Sequence, residues 1–322
     1  MKFLLVGGCG YIGEAFWHHL IKEGHQIEIW DSNNPGILPN VHHFDLSSPS
    51  FPSKSSYDII VNFGALVRLD ECQANPFNAI KTNTAGVAAL LEYARKNGCK
   101  KFVQISTSAI YENNIGTCHE NRNVDPHLIY PLSKLFSEQL CASYKKCYGL
   151  NTACVRVFNT FGGKSSLRRN HKALHAHIIQ ELLADRQPIL HSEKAARDYI
   201  YIEDLCSLLY LICTSNTDNY PVINACSELK IPVYMIYDMI KKSIQRYRTC
   251  NIEPLYQAPE KFWTAYSEIF EGEHPFNENL LKKEVNKDVI GSSALAYNLL
   301  GWSPKFSMQT AIDKTIDEIC GF

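Results

Sequence analysis

The stretch GGCGYIG, Gly7 to Gly13, decides the fold of this chain. It follows an apolar run, Phe3 to Val6, and opens an amphipathic run, so it predicts a strand, a glycine turn and a helix. Gly7 permits the tight turn, Gly10 lets the backbone approach a pyrophosphate, and Gly13 allows close contact between helix and strand. Because a helix N-terminus attracts phosphates, the stretch predicts a dinucleotide site.

An acidic residue follows the glycine turn at the distance that such a site requires. A second apolar strand, Gln26 to Trp30, ends in Asp31, eighteen positions after Gly13. A carboxylate there binds the adenosine ribose hydroxyls and repels the 2′-phosphate of NADP. We therefore expect NAD to be preferred over NADP.

Length and charge limit the class of partner. The chain has 322 residues, enough for one large unit or two interlocked lobes. Its 32 basic and 33 acidic residues form no long run of either sign, which disfavours nucleic acid and anionic membranes as partners. A small molecule is the expected ligand.

The cysteines and apolar runs indicate the compartment. Twelve cysteines are scattered along the chain without a paired metal spacing, so we interpret them as reduced thiols. The longest apolar run after the N-terminal one, Leu205 to Cys213, is too short to span a bilayer. We expect a soluble cytoplasmic protein.

Strand and helix patterns alternate through the first half of the chain, which predicts a doubly wound parallel sheet of the α/β class. Further strands are predicted at Val41 to Phe44, Asp58 to Ala65, Lys100 to Ser106 and Thr152 to Val157, and long helices at Pro76 to Asn97 and Ile129 to Tyr148. The pattern becomes irregular after Asn159. We therefore expect a dinucleotide-binding domain over 1–160, to which segments near 198–226 return, and a mainly substrate-binding lobe over 161–322.

A tyrosine and a lysine at the start of the second long helix form a candidate catalytic pair. Tyr130 and Lys134 are spaced i, i+4, so phenol and ammonium lie on one helix face. An adjacent ammonium favours the phenolate, which otherwise forms only near pH ~10. Thr107, at a predicted strand end, adds a hydroxyl to the same centre. The alternative for the pair alone is a surface tyrosine beside a solvated lysine.

These motifs occur in the order typical of one family. The chain resembles the extended short-chain dehydrogenase/reductase family in GGCGYIG, Asp31, Asp45 with Leu46, Asn83, STSAIY, YPLSK, VRVFNTFG, RDYIYIED and LGWSP. The resemblance covers nearly the whole chain. It implies a Rossmann-type domain that holds NAD tightly and a smaller C-terminal lobe for a nucleotide-diphosphate sugar.

The resemblance also implies residue roles. The catalytic residues are expected to be Thr107, Tyr130 and Lys134. The cofactor is expected to contact Gly7, Gly10, Tyr11, Ile12, Gly13, Asp31, Asp45, Leu46, Gly64, Ala65, Asn83, Tyr130 and Lys134. The substrate is expected to contact Ser108, Asn159 and Arg197.

Three of these interpretations have alternatives. Asp45 is equally well explained as a strand-end turn residue, and Arg197 as an ion-pair partner of Asp198 or Glu203. The segment HKALHAH, 171–177, has imidazoles at a metal-ligand spacing, but basic neighbours and the lack of a carboxylate at ligand spacing favour a basic cluster near a diphosphate. We expect no metal site.

Departures from the family pattern limit the reactions that this chain is expected to catalyse. Family dehydratases have Asp and Glu where this chain has Ser108 and Ala109, and family decarboxylases commonly have Glu at the second position. The segment resembles the 4-epimerases most. A late arginine that contacts phosphate is not evident, and the candidates to replace it are Lys282, Lys283 and Lys287.

The sequence therefore predicts an NAD-dependent nucleotide-sugar 4-epimerase. The alternatives are a 4-ketoreductase or oxidoreductase of the same fold, and a non-catalytic dinucleotide-binding regulatory subunit. Because family members often pair the two long helices between subunits, a homodimer is expected.

Overall fold

The computed structural model describes residues 1–112, 114–168, 173–215, 222–257, 266–285 and 287–321. The strands are β1 (Lys2–Val6), β2 (Gln26–Asp31), β3 (Val41–His43), β4 (Ile59–Asn62), β5 (Lys101–Thr107), β6 (Gly116–Cys118), β7 (Thr152–Val157), β8 (Asn159–Phe161), β9 (Ile189–His191), β10 (Ala196–Tyr201), β11 (Val222–Ala225), β12 (Lys230–Pro232), β13 (Leu255–Gln257) and β14 (Val289–Gly291). The helices are α1 (Tyr11–Lys22), α2 (Leu69–Ala74), α3 (Pro76–Ile80), α4 (Gly86–Lys96), α5 (Ile129–Tyr148), α6 (Leu174–Leu183), α7 (Ile202–Thr214), α8 (Val233–Ile244), α9 (Glu278–Val285), α10 (Ala294–Leu300) and α11 (Met308–Cys320).

The main sheet is parallel and has the order β3-β2-β1-β4-β5-β7-β11. Strand order reverses direction between β1 and β4, and in such sheets ligands bind beside the carboxyl ends of the strands at that reversal. This sheet confirms the predicted Rossmann-type class. Its edge strand, β11, comes from the segment 222–225, after the chain has left the sheet and returned.

Both faces of the sheet are covered. Phe3 and Leu5 of β1 belong to the core cluster that includes α1 and α7, whereas Leu4 and Val6 belong to the cluster that includes α4 and α5. Alternate residues of one strand thus enter opposite layers, which explains why β1 is apolar at every position from Phe3 to Val6.

The remaining strands form small sheets beside the main one. β12, β10 and β8 make a three-stranded sheet, while β13 pairs with β9 and β14 pairs with β6. Side chains of α6, α8 and α11 belong to the same core cluster as α1 and α7. One apolar core therefore runs from the main sheet into the C-terminal part of the chain.

The predicted helix at Pro76 to Asn97 contains an irregularity. A π-helical turn, Lys81–Ala85, joins α3 to α4. Directly after it, a Cβ at Gly86 would lie 2.4 Å from the carbonyl oxygen of Leu46, so the helix passes very close to the loop after β3. Periodicity predicts the length of this helix but not the π-helical turn, because that turn depends on a tertiary contact.

A buried ion pair joins α5 to the sheet. Arg156 of β7 donates from Nε and Nη2 to the two carboxylate oxygens of Glu138, at 3.0 and 2.8 Å. Ser106 of β5 donates to the same carboxylate at 2.5 Å. Both charged residues are about 5% exposed or less. Charged hydrogen bonds in a buried setting fix geometry strongly, so α5 is held in register with β5 and β7.

All twelve cysteines are free thiols. Within the described residues, each helix is too short or too polar to cross a lipid bilayer.

Removing one member of the buried ion pair should destabilise the fold. Arg156→Leu leaves the Glu138 carboxylate buried without its partner, which typically costs about 3–5 kcal/mol. Urea unfolding at a fixed NAD concentration measures the loss. The control is Arg95→Leu, because Arg95 pairs with Glu92 on the surface of α4. A loss no larger than that of the control would contradict this role of the buried pair.

Candidate active site

A cleft of about 990 Å³ lies at the carboxyl ends of the parallel strands. It is lined by the following sequence-predicted site residues: Gly7, Gly10, Tyr11, Ile12, Gly13, Asp31, Asp45, Leu46, Gly64, Ala65, Thr107, Ser108, Tyr130, Lys134, Asn159 and Arg197. Residues far apart in the sequence thus meet in one site.

The glycine turn has the geometry that its sequence predicts. Gly7 has φ +71°, and a Cβ there would lie 2.4 Å from the amide nitrogen of Gly64, so no larger residue fits between β1 and β4. A Cβ at Gly13 would lie 2.7 Å from the Cα of Gly8. Gly10 begins α1 without a side-chain cap, which leaves the first-turn amides available to an anion.

Two carboxylates line the cleft near this turn. Asp31 accepts hydrogen bonds from the amides of Cys9 and Asn33, each at 2.9 Å, and burial raises the pKa of Asp31. Asp45 accepts from the amide of Ser47 at 2.7 Å. Asp45 is therefore a strand-end turn residue, as the alternative interpretation has it, and it also lines the cleft.

Asn83, which is predicted as a cofactor contact, lies outside the lining of the cleft. It is fully buried in the π-helical turn. Its side-chain oxygen accepts from the amide of Leu66 at 2.7 Å, and its side-chain nitrogen donates to the carbonyl of Leu66 and to Ser133. A buried amide has to satisfy its own polar atoms, and Asn83 does so by fixing the loop after β4 to α5.

The predicted catalytic residues all line the cleft. Thr107 ends β5, and its hydroxyl oxygen accepts from the amide of Ala109 at 3.1 Å. Tyr130 is half-buried in the first turn of α5. Lys134, one turn further along, is 3% exposed. Tyr130 and Lys134 of α5 thus line the same cleft as Thr107 at the end of β5.

Lys134 carries a buried ammonium. Burial lowers the pKa of Lys134 to about 8, and the nearby Glu138 carboxylate opposes that shift. Among the described residues, none accepts a hydrogen bond from this ammonium. A buried ammonium that lines a cleft and has unused hydrogen-bond donors is typical of a site that binds a polar ligand.

These features together fit a bound dinucleotide. The uncapped helix start suits a pyrophosphate, the Asp31 carboxylate suits ribose hydroxyls, and the spare donors of Lys134 suit a further hydroxyl group. The residues present in the cleft therefore fit NAD.

Arg197 and Asn159 also line the cleft. The Arg197 guanidinium donates to the backbone carbonyls of Glu284 and Lys287. Both acids of the alternative ion pair have other partners: Asp198 accepts from the amides of residues 227, 228 and 291, and Glu203 pairs with residue 314. Asn159 donates to the carbonyl of Asp198 at 3.1 Å.

Glu112 has a role that the sequence did not predict. Its carboxylate accepts from the backbone amides of His127 and Leu128, at 2.9 and 3.0 Å. It thus ties the turn after Thr107 to the start of the helix that carries Tyr130. No local pattern reveals this contact, because its two sides are fifteen positions apart.

Of the three lysines considered for a second phosphate contact, Lys287 lines the cleft, whereas Lys282 and Lys283 are exposed on α9. Glu284 lines the cleft beside Lys287. Sequence alone could not choose among these lysines, because the choice depends on the tertiary contacts of Lys287 with Ala109 and Glu284.

The histidine segment includes residues outside the described part of the chain, His171 among them. His175 accepts from the amide of Gly162 at 3.3 Å, and the ring of His177 contacts the carbonyl of Ile189. In the described ranges no group of three or more His, Cys, Asp or Glu side chains is arranged for a metal ion.

The sequence matches a known protein family and several named proteins. A sequence profile of the NAD dependent epimerase/dehydratase family matches residues 3–226. UDP-glucuronic acid decarboxylase 1 of Danio rerio is 26% identical over 230 residues, which are 67% of this chain and 54% of that protein. The chain thus spans about half the length of that relative. A putative UDP-glucose 4-epimerase of Methanocaldococcus jannaschii is 23% identical over 253 residues, 75% of this chain and 82% of that protein.

Solved structures agree on the fold. UDP-glucose 4-epimerase of Thermotoga maritima, solved with UDP-glucose, has a TM-score of 0.81 at 21% identity and covers 99% of both chains. At that identity the likeness is one of fold. The family profile covers more than half of the chain and includes the glycine turn, β5 and α5. The chain therefore belongs to the NAD dependent epimerase/dehydratase family, and its cofactor is NAD.

Proposed function

We propose that this protein epimerises a nucleotide-diphosphate sugar at C4, with NAD as a retained cofactor. The observation that carries the proposal is the convergence of Thr107, Tyr130 and Lys134 on the cleft that also holds the glycine turn and Asp31. Ser108 and Ala109 supply no carboxylate next to this centre, which disfavours dehydration. The relatives named UDP-glucose 4-epimerase support a UDP-hexose as substrate.

The residues of the cleft have distinct roles in this proposal. Tyr130 is the base that removes the sugar hydroxyl proton, and the Lys134 ammonium favours its phenolate. Thr107 donates a hydrogen bond to the same sugar oxygen. Bound NAD supplies the acceptor and donor of hydride. Asn159 and Arg197 hold the diphosphate side of the substrate, for which a guanidinium is well suited.

Product analysis tests this function. Purified protein is incubated with UDP-glucose without added cofactor, and the nucleotide sugars are separated by chromatography. The proposal predicts a C4 epimer that accumulates to equilibrium. Net consumption of added NADH would instead indicate the ketoreductase alternative, and binding of NAD without any turnover would indicate the regulatory subunit.

Tyr130→Phe should abolish turnover while fold and NAD binding persist, because it deletes one oxygen from the cleft wall. Loss of positioned general-base catalysis costs about 10²- to 10⁴-fold. The measurement is single-turnover reduction of bound NAD by substrate, followed at the nicotinamide absorbance. Tyr148→Phe, at the exposed far end of the same helix, is the control. Equal rates in both variants would exclude Tyr130 as the base.

Asp31 should set the preference for NAD over NADP. Asp31→Asn removes the charge that repels the 2′-phosphate while preserving size. The ratio of NADP to NAD dissociation constants should fall by about tenfold or more, since tenfold corresponds to only about 1.4 kcal/mol. Fluorescence titration of cofactor-depleted protein gives the ratio, with Asp58→Asn as control. An unchanged ratio would contradict this role of Asp31.

A homodimer formed through α3, α4 and α5 is part of the proposal. Phe77 of α3 is 81% exposed, and Phe136 and Tyr148 of α5 are also exposed. Large exposed apolar side chains on neighbouring helices indicate a protein surface that another chain covers. Sedimentation at micromolar concentration should give a dimer, and Phe77→Asp should shift it towards monomer. Ile115→Asp, exposed elsewhere, should leave it unchanged. A monomer in the parent protein would refute the dimer.

A further inference from the structure

A lysine and a glutamate from the C-terminal part of the chain form a pair in the wall of the cleft. The Lys287 ammonium lies 3.4 Å from the carbonyl oxygen of Ala109 and 3.5 Å from a carboxylate oxygen of Glu284. The two side chains are 6% and 14% exposed, and both residues line the cleft. We call these two residues the specificity pair.

The specificity pair keeps hydrogen-bonding capacity for a ligand. An ammonium has three donors, and the two protein acceptors of Lys287 are at the long limit of hydrogen-bond distance. A carboxylate has about four acceptor positions, and Lys287 uses one of those on Glu284. The charges of the pair cancel, so together the two side chains offer a donor and an acceptor without a net charge.

The position of the pair is fixed from both sides. Ala109, whose carbonyl Lys287 contacts, donates its own amide to the hydroxyl of Thr107. The pair therefore lies close to the catalytic end of the cleft. Arg197 binds the backbone carbonyls of both pair residues, which holds them against β10 and leaves their side chains to the ligand.

We propose that Glu284 and Lys287 select a neutral, hydroxyl-bearing sugar. A hydroxyl group both donates and accepts, so it matches the carboxylate and the ammonium at once. A sugar carboxylate matches the ammonium but meets the charge of Glu284 at the same place, and a like charge in a partly buried site is repelled. This inference rests on the proposed nucleotide-sugar substrate and deepens it: the substrate class is a neutral hexose and not a hexuronate.

Calorimetric titration of the NAD-loaded protein with UDP, UDP-glucose and UDP-glucuronic acid tests the pair. The parent protein should bind UDP-glucose more tightly than UDP-glucuronic acid. Glu284→Gln removes the repelling charge but keeps the size, so the affinity ratio of glucose to glucuronic acid should fall by about tenfold or more. Lys287→Met should weaken both UDP-sugars and leave UDP unchanged, and it should weaken UDP-glucuronic acid more, because the charge of Glu284 is then no longer balanced.

Glu278→Gln and Lys283→Met, exposed on α9, serve as matched controls and should bind all three probes like the parent. An unchanged sugar ratio in Glu284→Gln overturns the inference. Equal weakening of UDP and the UDP-sugars in Lys287→Met also overturns it, because Lys287 would then be a diphosphate contact. If the parent binds no UDP-sugar at all, the proposed function fails for uridine nucleotides and the inference fails with it.

Discussion

The bidentate bond between Arg156 and Glu138 is the interaction on which the site depends. It fixes α5 against β5 and β7, and Lys134 and Tyr130 precede Glu138 on α5 by one and two helical turns. Both residues line the cleft together with Thr107, which ends β5. Since the guanidinium already neutralises Glu138, that carboxylate is not free to pair fully with Lys134. The ammonium thus stays directed at the cleft with donors to spare.

A second constraint is the close approach of β1 and β4 at the reversal of strand order. The backbones at Gly7 and Gly64 approach each other closely there, and both glycines line the crevice. The start of α1 and the carboxylate of Asp31 border this crevice. The close packing of β1 against β4 therefore also forms the dinucleotide site. The catalytic residues of α5 form a separate part of the same cleft.

Local sequence patterns predicted much of the fold and many residues of the cleft. The glycine turn, the parallel sheet and the bounds of α5 follow from periodicity and from glycine placement, and most predicted site residues line the cleft. Asn83 lies outside the lining of the cleft, and its side-chain amide contacts Leu66 and Ser133 through tertiary packing that no local pattern encodes, so its role as a cofactor contact stays a prediction. The same limit applies to Glu112 and to the choice of Lys287. The division into lobes at residue 160 and the roles of individual site residues stay predictions.

The central claim is that this cleft inverts one carbon of a sugar without net oxidation. The most direct test uses UDP-glucose deuterated at C4 as the substrate and analyses the product by mass spectrometry and proton NMR. The account predicts a C4 epimer that retains the deuterium at C4, since the hydride returns to the same carbon without exchange with solvent. Loss of deuterium to solvent, its appearance in released NADH, or inversion at another carbon would contradict the account.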